Sequence, residues 1–121
     1  LVAEDNPINV YLIRILLEEA GYLADVVTNG EEALEALNAF PYELVLMDVQ
    51  MPVMDGIEAT RRIRADWLPH DQPRIIALTA GVMADEVQQC RDAGMDDFLA
   101  KPIDIAKLGA ALDRHRAARV E

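Results

Sequence analysis

A chain of 121 residues with 52% hydrophobic content can bury one core and is too short for two ordinary domains. Its 22 acidic residues against 11 basic ones leave a net charge of -11, which repels phosphate backbones and anionic surfaces and argues against a nucleic-acid or direct membrane partner. No apolar run approaches the ~20 residues of a membrane helix, so any membrane tether is expected to come through sequence outside this chain. Cys90, the lone cysteine, has helical neighbours and is expected to be a packed thiol in a reducing, cytoplasmic setting.

In chain order, Leu1 to Ala3 is apolar and runs straight into polar Glu4-Asp5-Asn6, as the tail of a buried strand does. Asn6 caps a helix with Pro7 at its first position, and Val10, Ile13, Leu16, Leu17 and Ala20 recur at helical spacing until Gly21. A strand from Leu23 to Val27 and a helix from Gly30 to Ala39 follow. The continuous apolar run Leu44 to Met47 then suits a strand covered on both faces. Asp55 and Glu58 read as a capping box opening a helix to Asp66, residues 67–73 as a loop, and Ile75 to Leu78 as a fourth strand. Ala84 to Ala93 is helical and ends at Gly94, with Asp96 and Asp97 in a turn before the short strand Phe98 to Ala100. A last helix from Ile103 carries Leu108, Ala111, Leu112 and His115 along one side, weakened by up to ~1 kcal/mol at Gly109.

Five strands alternating with five helices predict an α/β fold, one domain over residues 1–121, with a doubly wound parallel sheet and helices on both faces. A flavodoxin-like order 2-1-3-4-5 is the choice among doubly wound arrangements, and all of them place ligands at the carboxyl ends of the strands. The polar residues at those ends are few: Glu4 and Asp5 after the first strand, Asp48 after the third, Thr79 after the fourth and Lys101 after the fifth. Thr28 and Asn29 follow the second strand, outside the cleft if that strand is at the edge.

Three carboxylates brought together repel one another unless some take up protons or a hard cation neutralises them. Mg2+ fits, because it prefers oxygen ligands and keeps waters that a phosphate can replace. Asp48, behind four apolar residues, is the most rigidly held and can serve as a nucleophile forming an aspartyl-phosphate. Lys101 offers a cation and Thr79 a hydroxyl for phosphoryl oxygens. Taken singly, Asp5 also suits a cap of the first helix, Lys101 a surface lysine and Thr79 a strand-end hydroxyl. Their recurrence at successive strand ends favours the joint reading. Asp55 reads as a helix cap, Glu18, Glu19, Glu31 and Glu32 as a solvated face, and His70 and His115 stand isolated in the sequence.

The segments Val2 to Asn9, Leu46 to Gly56, Ala77 to Ala80 and Lys101-Pro102 resemble response-regulator receiver domains, in the style of those attached to hybrid sensor histidine kinases. The resemblance implies that Asp48 accepts a phosphoryl group from a phosphohistidine on a histidine kinase or histidine-phosphotransfer protein. It implies Mg2+ on Asp5, on Asp48, on the Gln50 main-chain carbonyl and, mainly through water, on Glu4. Thr79 and Phe98 would form a switch pair reshaping the face of the fourth helix, fifth strand and fifth helix, through which the domain controls a partner and forms a homodimer. It further implies a cis Lys101-Pro102 bond and a few more strand residues ahead of Glu4 than the chain carries.

Gln50 stands where many such domains have Asn, and Phe98 replaces the commoner Tyr. With Gly81 offering no side chain near the acyl phosphate, moderate to fast self-dephosphorylation is expected. A haloacid-dehalogenase phosphatase would need a second Asp two positions after the nucleophile, where Gln50 stands. A flavin carrier would need a Ser/Thr/Gly-rich loop where Glu4 and Asp5 lie. A degenerate, phosphate-independent binding module would not need the acidic cluster, Thr79 and Lys101. The expectation is therefore a phosphoacceptor that promotes its own phosphorylation and dephosphorylation rather than a turnover enzyme.

Overall fold

The computed structural model describes residues 1–67, 72–80 and 84–120. His70, in the expected loop, and Gly81, on which the dephosphorylation expectation partly rests, lie outside them. The elements run β1 (Val2–Ala3), α1 (Pro7–Glu19), β2 (Val26–Val27), α2 (Gly30–Ala39), β3 (Leu44–Asp48), α3 (Gly56–Asp66), β4 (Arg74–Thr79), α4 (Ala84–Ala93), β5 (Asp97–Ala100) and α5 (Ile105–Val120). All five strands are parallel in one sheet of order β2-β1-β3-β4-β5. The flavodoxin-like topology is thus the expected one, and its order reverses beside β1, opening a crevice at the carboxyl ends of β1 and β3.

Local sequence explains the elements and their ends. Asn6 caps α1 by accepting from the Ile8 and Asn9 amides at 2.9 and 3.3 Å, and Asn29 caps α2 by accepting from Glu32 at 2.8 Å. Asp55 caps α3 through the Glu58 amide at 2.8 Å, but only half of the expected capping box forms, since the Glu58 carboxylate turns to Arg62 at 3.2 Å. The last helix starts two residues later than its apolar pattern predicts. Ile103 is buried in the core, and the Asp104 carboxylate accepts from the Ala106 amide at 2.7 Å and the Lys107 amide at 3.3 Å, taking the cap position.

Two further expectations are corrected. The second strand is only Val26–Val27, because Leu23 is 95% exposed at the sheet edge and has no core to enter. Asp97 opens β5 rather than sitting in a turn, and it pairs with Arg114 of α5 at 2.6 Å. Asp96 just before it accepts from the Ile75 amide and from Arg64, each at 2.8 Å.

Strand alternation divides the core in two. Ala3, Val45, Met47, Ile75 and Ala77 face α2, α3 and α4, where Ala33, Leu37, Ala59, Ile63 and Cys90 complete one cluster. Val2, Leu46, Ile76, Leu78 and Leu99 face α1 and α5 with Ile13, Leu17, Leu108, Ala111 and Leu112. Cys90 is buried as expected, and burial raises its thiol above the usual range.

Candidate functional site

The same alternation sets the directions of the polar residues at the strand ends. Asp48 is two residues past Leu46, Glu4 two past Val2 and Lys101 two past Leu99, so all three emerge on the α1/α5 side. Thr79 is two past Ala77 and emerges on the side of α2, α3 and α4. Asp48 pairs in register with Leu78, and Thr79 with Ala100, so Asp48, Thr79 and Lys101 step forward by one residue per strand across the sheet.

The step brings opposite charges together out of water. Glu4 is fully buried and Asp48 is 3% exposed. The Lys101 ammonium lies 2.9 Å from Asp48 Oδ2 and 3.1 Å from Glu4 Oε1. The Gln50 amide donates to Asp48 Oδ1 at 3.2 Å, and Asn9 Nδ2 donates to Glu4 Oε1 at 2.6 Å. Asp5 is exposed at the rim. Because Asn6 provides the α1 cap, the Asp5 carboxylate is left to the acidic group, where one oxygen each of Glu4, Asp5 and Asp48 lie within 4.8 Å of one another.

One lysine does not neutralise three carboxylates, and the protonation balance shows it. Burial pushes the Asp48 carboxyl up to about 7, and the neighbouring Glu4 pushes the same way against the opposing Lys101. Burial also works to raise Glu4, but hydrogen bonds with Asp48, Asn9 and Lys101 outweigh it and hold its carboxyl below the usual range. Burial opposes the charge of Lys101, yet the two carboxylates more than offset this and raise the ammonium. Of the pair, Asp48 is therefore the carboxyl that takes up a proton more readily. An all-oxygen, over-charged set of this kind fits a small divalent cation, which would displace that proton.

Asp48 is held in place from below by Gly56. The Gly56 amide donates to the Val49 carbonyl at 3.1 Å, and a Cβ on Gly56 would collide with the Asp48 carbonyl oxygen and approach Met47 Cγ to 2.8 Å. On the other side of the sheet, the described contact of the buried Thr79 hydroxyl is a long one to the Leu99 carbonyl, 3.5 Å. The Lys101 amide donates to the Thr79 carbonyl at 2.7 Å, and Lys101-Pro102 is cis as the resemblance implied. Phe98 is half-buried against the α2/α3/α4 cluster, with the Arg91 guanidinium 5.5 Å from its ring centre.

Of the sequence-predicted residues, Glu4, Asp5, Asp48 and Lys101 come together, Thr79 and Phe98 lie on the other face of the sheet, and Thr28 and Asn29 lie outside: Asn29 caps α2, and Thr28 binds Glu32 at 2.8 Å. Asn9 was not singled out, although its place one turn into α1, above the Glu4 strand end, is where a polar residue reaches the cleft.

Comparison with known proteins agrees with this geometry. The family model described as "Response regulator receiver domain" matches residues 1–113. The sensor histidine kinase GacS of Pseudomonas protegens is 47% identical over 111 residues, covering 89% of this chain but only 12% of that kinase. The receiver domain of the sensor histidine kinase PA1611 of Pseudomonas aeruginosa, solved with a magnesium ion in its active-site cleft, superposes with a TM-score of 0.83 at 39% identity, covering 93% of this chain and 92% of that one. A co-crystal structure from Saccharomyces cerevisiae of the histidine phosphotransfer protein Ypd1 with the receiver domain of Ssk1 matches at 28% identity and a TM-score of 0.80, covering 89% of this chain and 81% of the matched chain.

Proposed function

The chain belongs to the response regulator receiver domains, the phosphoacceptor modules of phosphorelay signalling, and from that premise we propose that Asp48 is its phosphoacceptor. Residues 1–121 are read as one such domain of a larger hybrid histidine kinase on the cytoplasmic side of a membrane. The observation that carries the proposal is the buried Asp48 carboxyl at the end of β3, 2.9 Å from Lys101 and within one oxygen cluster with Glu4 and Asp5.

In the proposed transfer, a deprotonated Asp48 oxygen attacks the phosphorus of a phosphohistidine on a histidine kinase or phosphotransfer protein. The P–N bond breaks, its electron pair stays on the imidazole nitrogen, and that nitrogen takes up a proton. Asp5, Asp48, the Gln50 main-chain carbonyl and, mainly through water, Glu4 would hold Mg2+, which when bound neutralises the carboxylates and the phosphoryl oxygens. Lys101 exchanges its contact with Asp48 for a phosphoryl oxygen, keeping the charge of the transferred group paired. The Thr79 hydroxyl, weakly engaged with Leu99, turns to another phosphoryl oxygen and vacates space into which Phe98 moves, reshaping the α4-β5-α5 face for an attached domain, a partner or a second copy. The donor is placed on α1, whose exposed Ile8, Tyr11, Leu12 and Ile15 follow helical spacing beside the cleft and suit a helical partner.

Intact mass spectrometry after incubation with acetyl phosphate tests the assignment. One phosphoryl group should be gained with Mg2+ present, and none without Mg2+ or in Asp48→Asn. Absence of any gain would leave a phosphate-independent binding module as the better reading.

A further inference from the structure

Thr28 and Asn29 lie outside the cleft, yet the residue that follows them touches the loop that enters it. Gly30, the first residue of α2, is buried, and its amide donates to the Met54 carbonyl at 2.8 Å. A Cβ at Gly30 would lie 2.7 Å from the Met54 carbonyl oxygen and 3.0 Å from both the Asp55 carbonyl oxygen and the Ala59 Cβ. Gly30 does not have the positive φ of Gly21 and Gly94, so it is this close approach that calls for glycine. The start of α2 is itself fixed. Asn29 accepts from the Glu32 amide at 2.8 Å, and Glu32 Oε1 accepts from the Thr28 amide and hydroxyl, each at 2.8 Å.

The loop that Gly30 meets, residues 49–55, is tied at both ends. Near β3 the Gln50 amide donates to Asp48 Oδ1 at 3.2 Å and the Gly56 amide to the Val49 carbonyl at 3.1 Å; near α3 the Met54 carbonyl is held by Gly30. Between these ties the backbone is strained. Val53, β-branched and 77% exposed, has a φ of 67°, and the Met54 amide closes a tight turn onto the Pro52 carbonyl at 2.7 Å. So exposed a side chain cannot hold this conformation by its own packing. The anchors impose it: Met51 and Met54 against the core, and the Gly30 bond. The Gln50 main-chain carbonyl is carried on this loop.

We propose that Gly30 is a positioning residue of the metal site: by holding Met54 it sets where the loop presents the Gln50 carbonyl, and thereby favours Mg2+ over the larger Ca2+. The proposal rests on the reading of that carbonyl as a Mg2+ ligand. Mg2+ demands a short, near-octahedral oxygen shell, whereas Ca2+ accepts longer and more variable contacts. A loop pushed aside by a Cβ on Gly30 therefore penalises Mg2+ more than Ca2+.

The test is titration calorimetry with Mg2+ and with Ca2+ on the unsubstituted chain and its variants. Gly30→Ala should weaken Mg2+ binding about fivefold and Ca2+ binding by less than about twofold. Arg64→Ala, whose contacts lie at the entries to β4 and β5, should leave the ratio of the two affinities unchanged although it weakens the fold. Asn29→Ala loosens the start of α2 without adding bulk and should shift the ratio the same way as Gly30→Ala, by about twofold. Equal losses for both ions or an unchanged Mg2+ affinity in Gly30→Ala, or the same shift of ratio in Arg64→Ala, would overturn the positioning role. If Gly30→Ala does not fold, an unchanged ratio in Asn29→Ala overturns it instead. Absence of Mg2+ binding by the unsubstituted chain would overturn the metal reading, and this role with it.

Discussion

Protonation of the Asp48 carboxyl couples the site to the stability of the fold. That carboxyl is raised from 3.8 to about 7, chiefly by burial, so the protonated form is favoured in the folded state. The associated stability is complete below the ordinary carboxylate pKa and is lost as pH climbs through about 7. Urea unfolding of the metal-free domain should therefore show a decline between about pH 5 and about pH 8 that Asp48→Asn lacks, leaving the variant more stable at the upper end by on the order of 1–3 kcal/mol. The same proton competes with Mg2+. Affinity measured by titration calorimetry should rise with pH up to about 7 and level off above it. Gly56→Ala forces a Cβ onto the Asp48 carbonyl and should cost about 2–4 kcal/mol in urea unfolding while impairing phosphorylation. At this scale the positions of Asp48, Thr79 and Lys101 were legible because the first two end a strand and the third directly follows one. Asn9 was not, since nothing in local pattern distinguishes a first-turn asparagine that reaches across to Glu4 from one that faces solvent.

The elements are tied to one another by arginines. Arg64 of α3 donates to the Gly94 carbonyl at 2.8 Å, to Gln72 at 2.6 Å and to the Pro73 carbonyl at 2.9 Å, and pairs with Asp96 at 2.8 Å. One side chain thus secures the entries to β4 and β5. Arg64→Ala should destabilise the domain by about 2–3 kcal/mol in urea unfolding, because it strands several partly buried acceptors, whereas exposed Arg61→Ala should change it by less than about 0.5 kcal/mol. Helices α2 and α4 run over the residues expected of them, Gly30–Ala39 and Ala84–Ala93, the second ending before Gly94. Asp97 was misread as part of a turn because its partner, Arg114, lies 17 residues away and no local pattern names it; the Asp96 partner, Arg64, lies 32 residues away. The late start of β2 had the same origin: apolar Leu23 looks like strand core until the sheet edge leaves it uncovered.

For the whole molecule, folding and metal binding are linked. The acidic cluster exists only when β1 and β3 are paired, so a cation that binds it stabilises the entire domain. Mg2+ at about a hundred times its Kd should add about 2.7 kcal/mol, a rise in Tm of about 10 °C by scanning calorimetry, largely absent in Asp48→Asn. The α/β class was legible from five alternations of strand and helix. The strand order was not, because hydrophobic period describes how an element is covered and says nothing of which neighbour it pairs with.

The sheet places Asp48, Glu4 and Lys101 on one face and Thr79 with Phe98 on the other. On the proposed function, writing and reading of the signal would therefore fall on opposite sides of a wall one strand thick. A molecule bound on the α4 side would then silence the message without erasing the mark, and listeners could be exchanged on that side while the ink well on the other is left untouched.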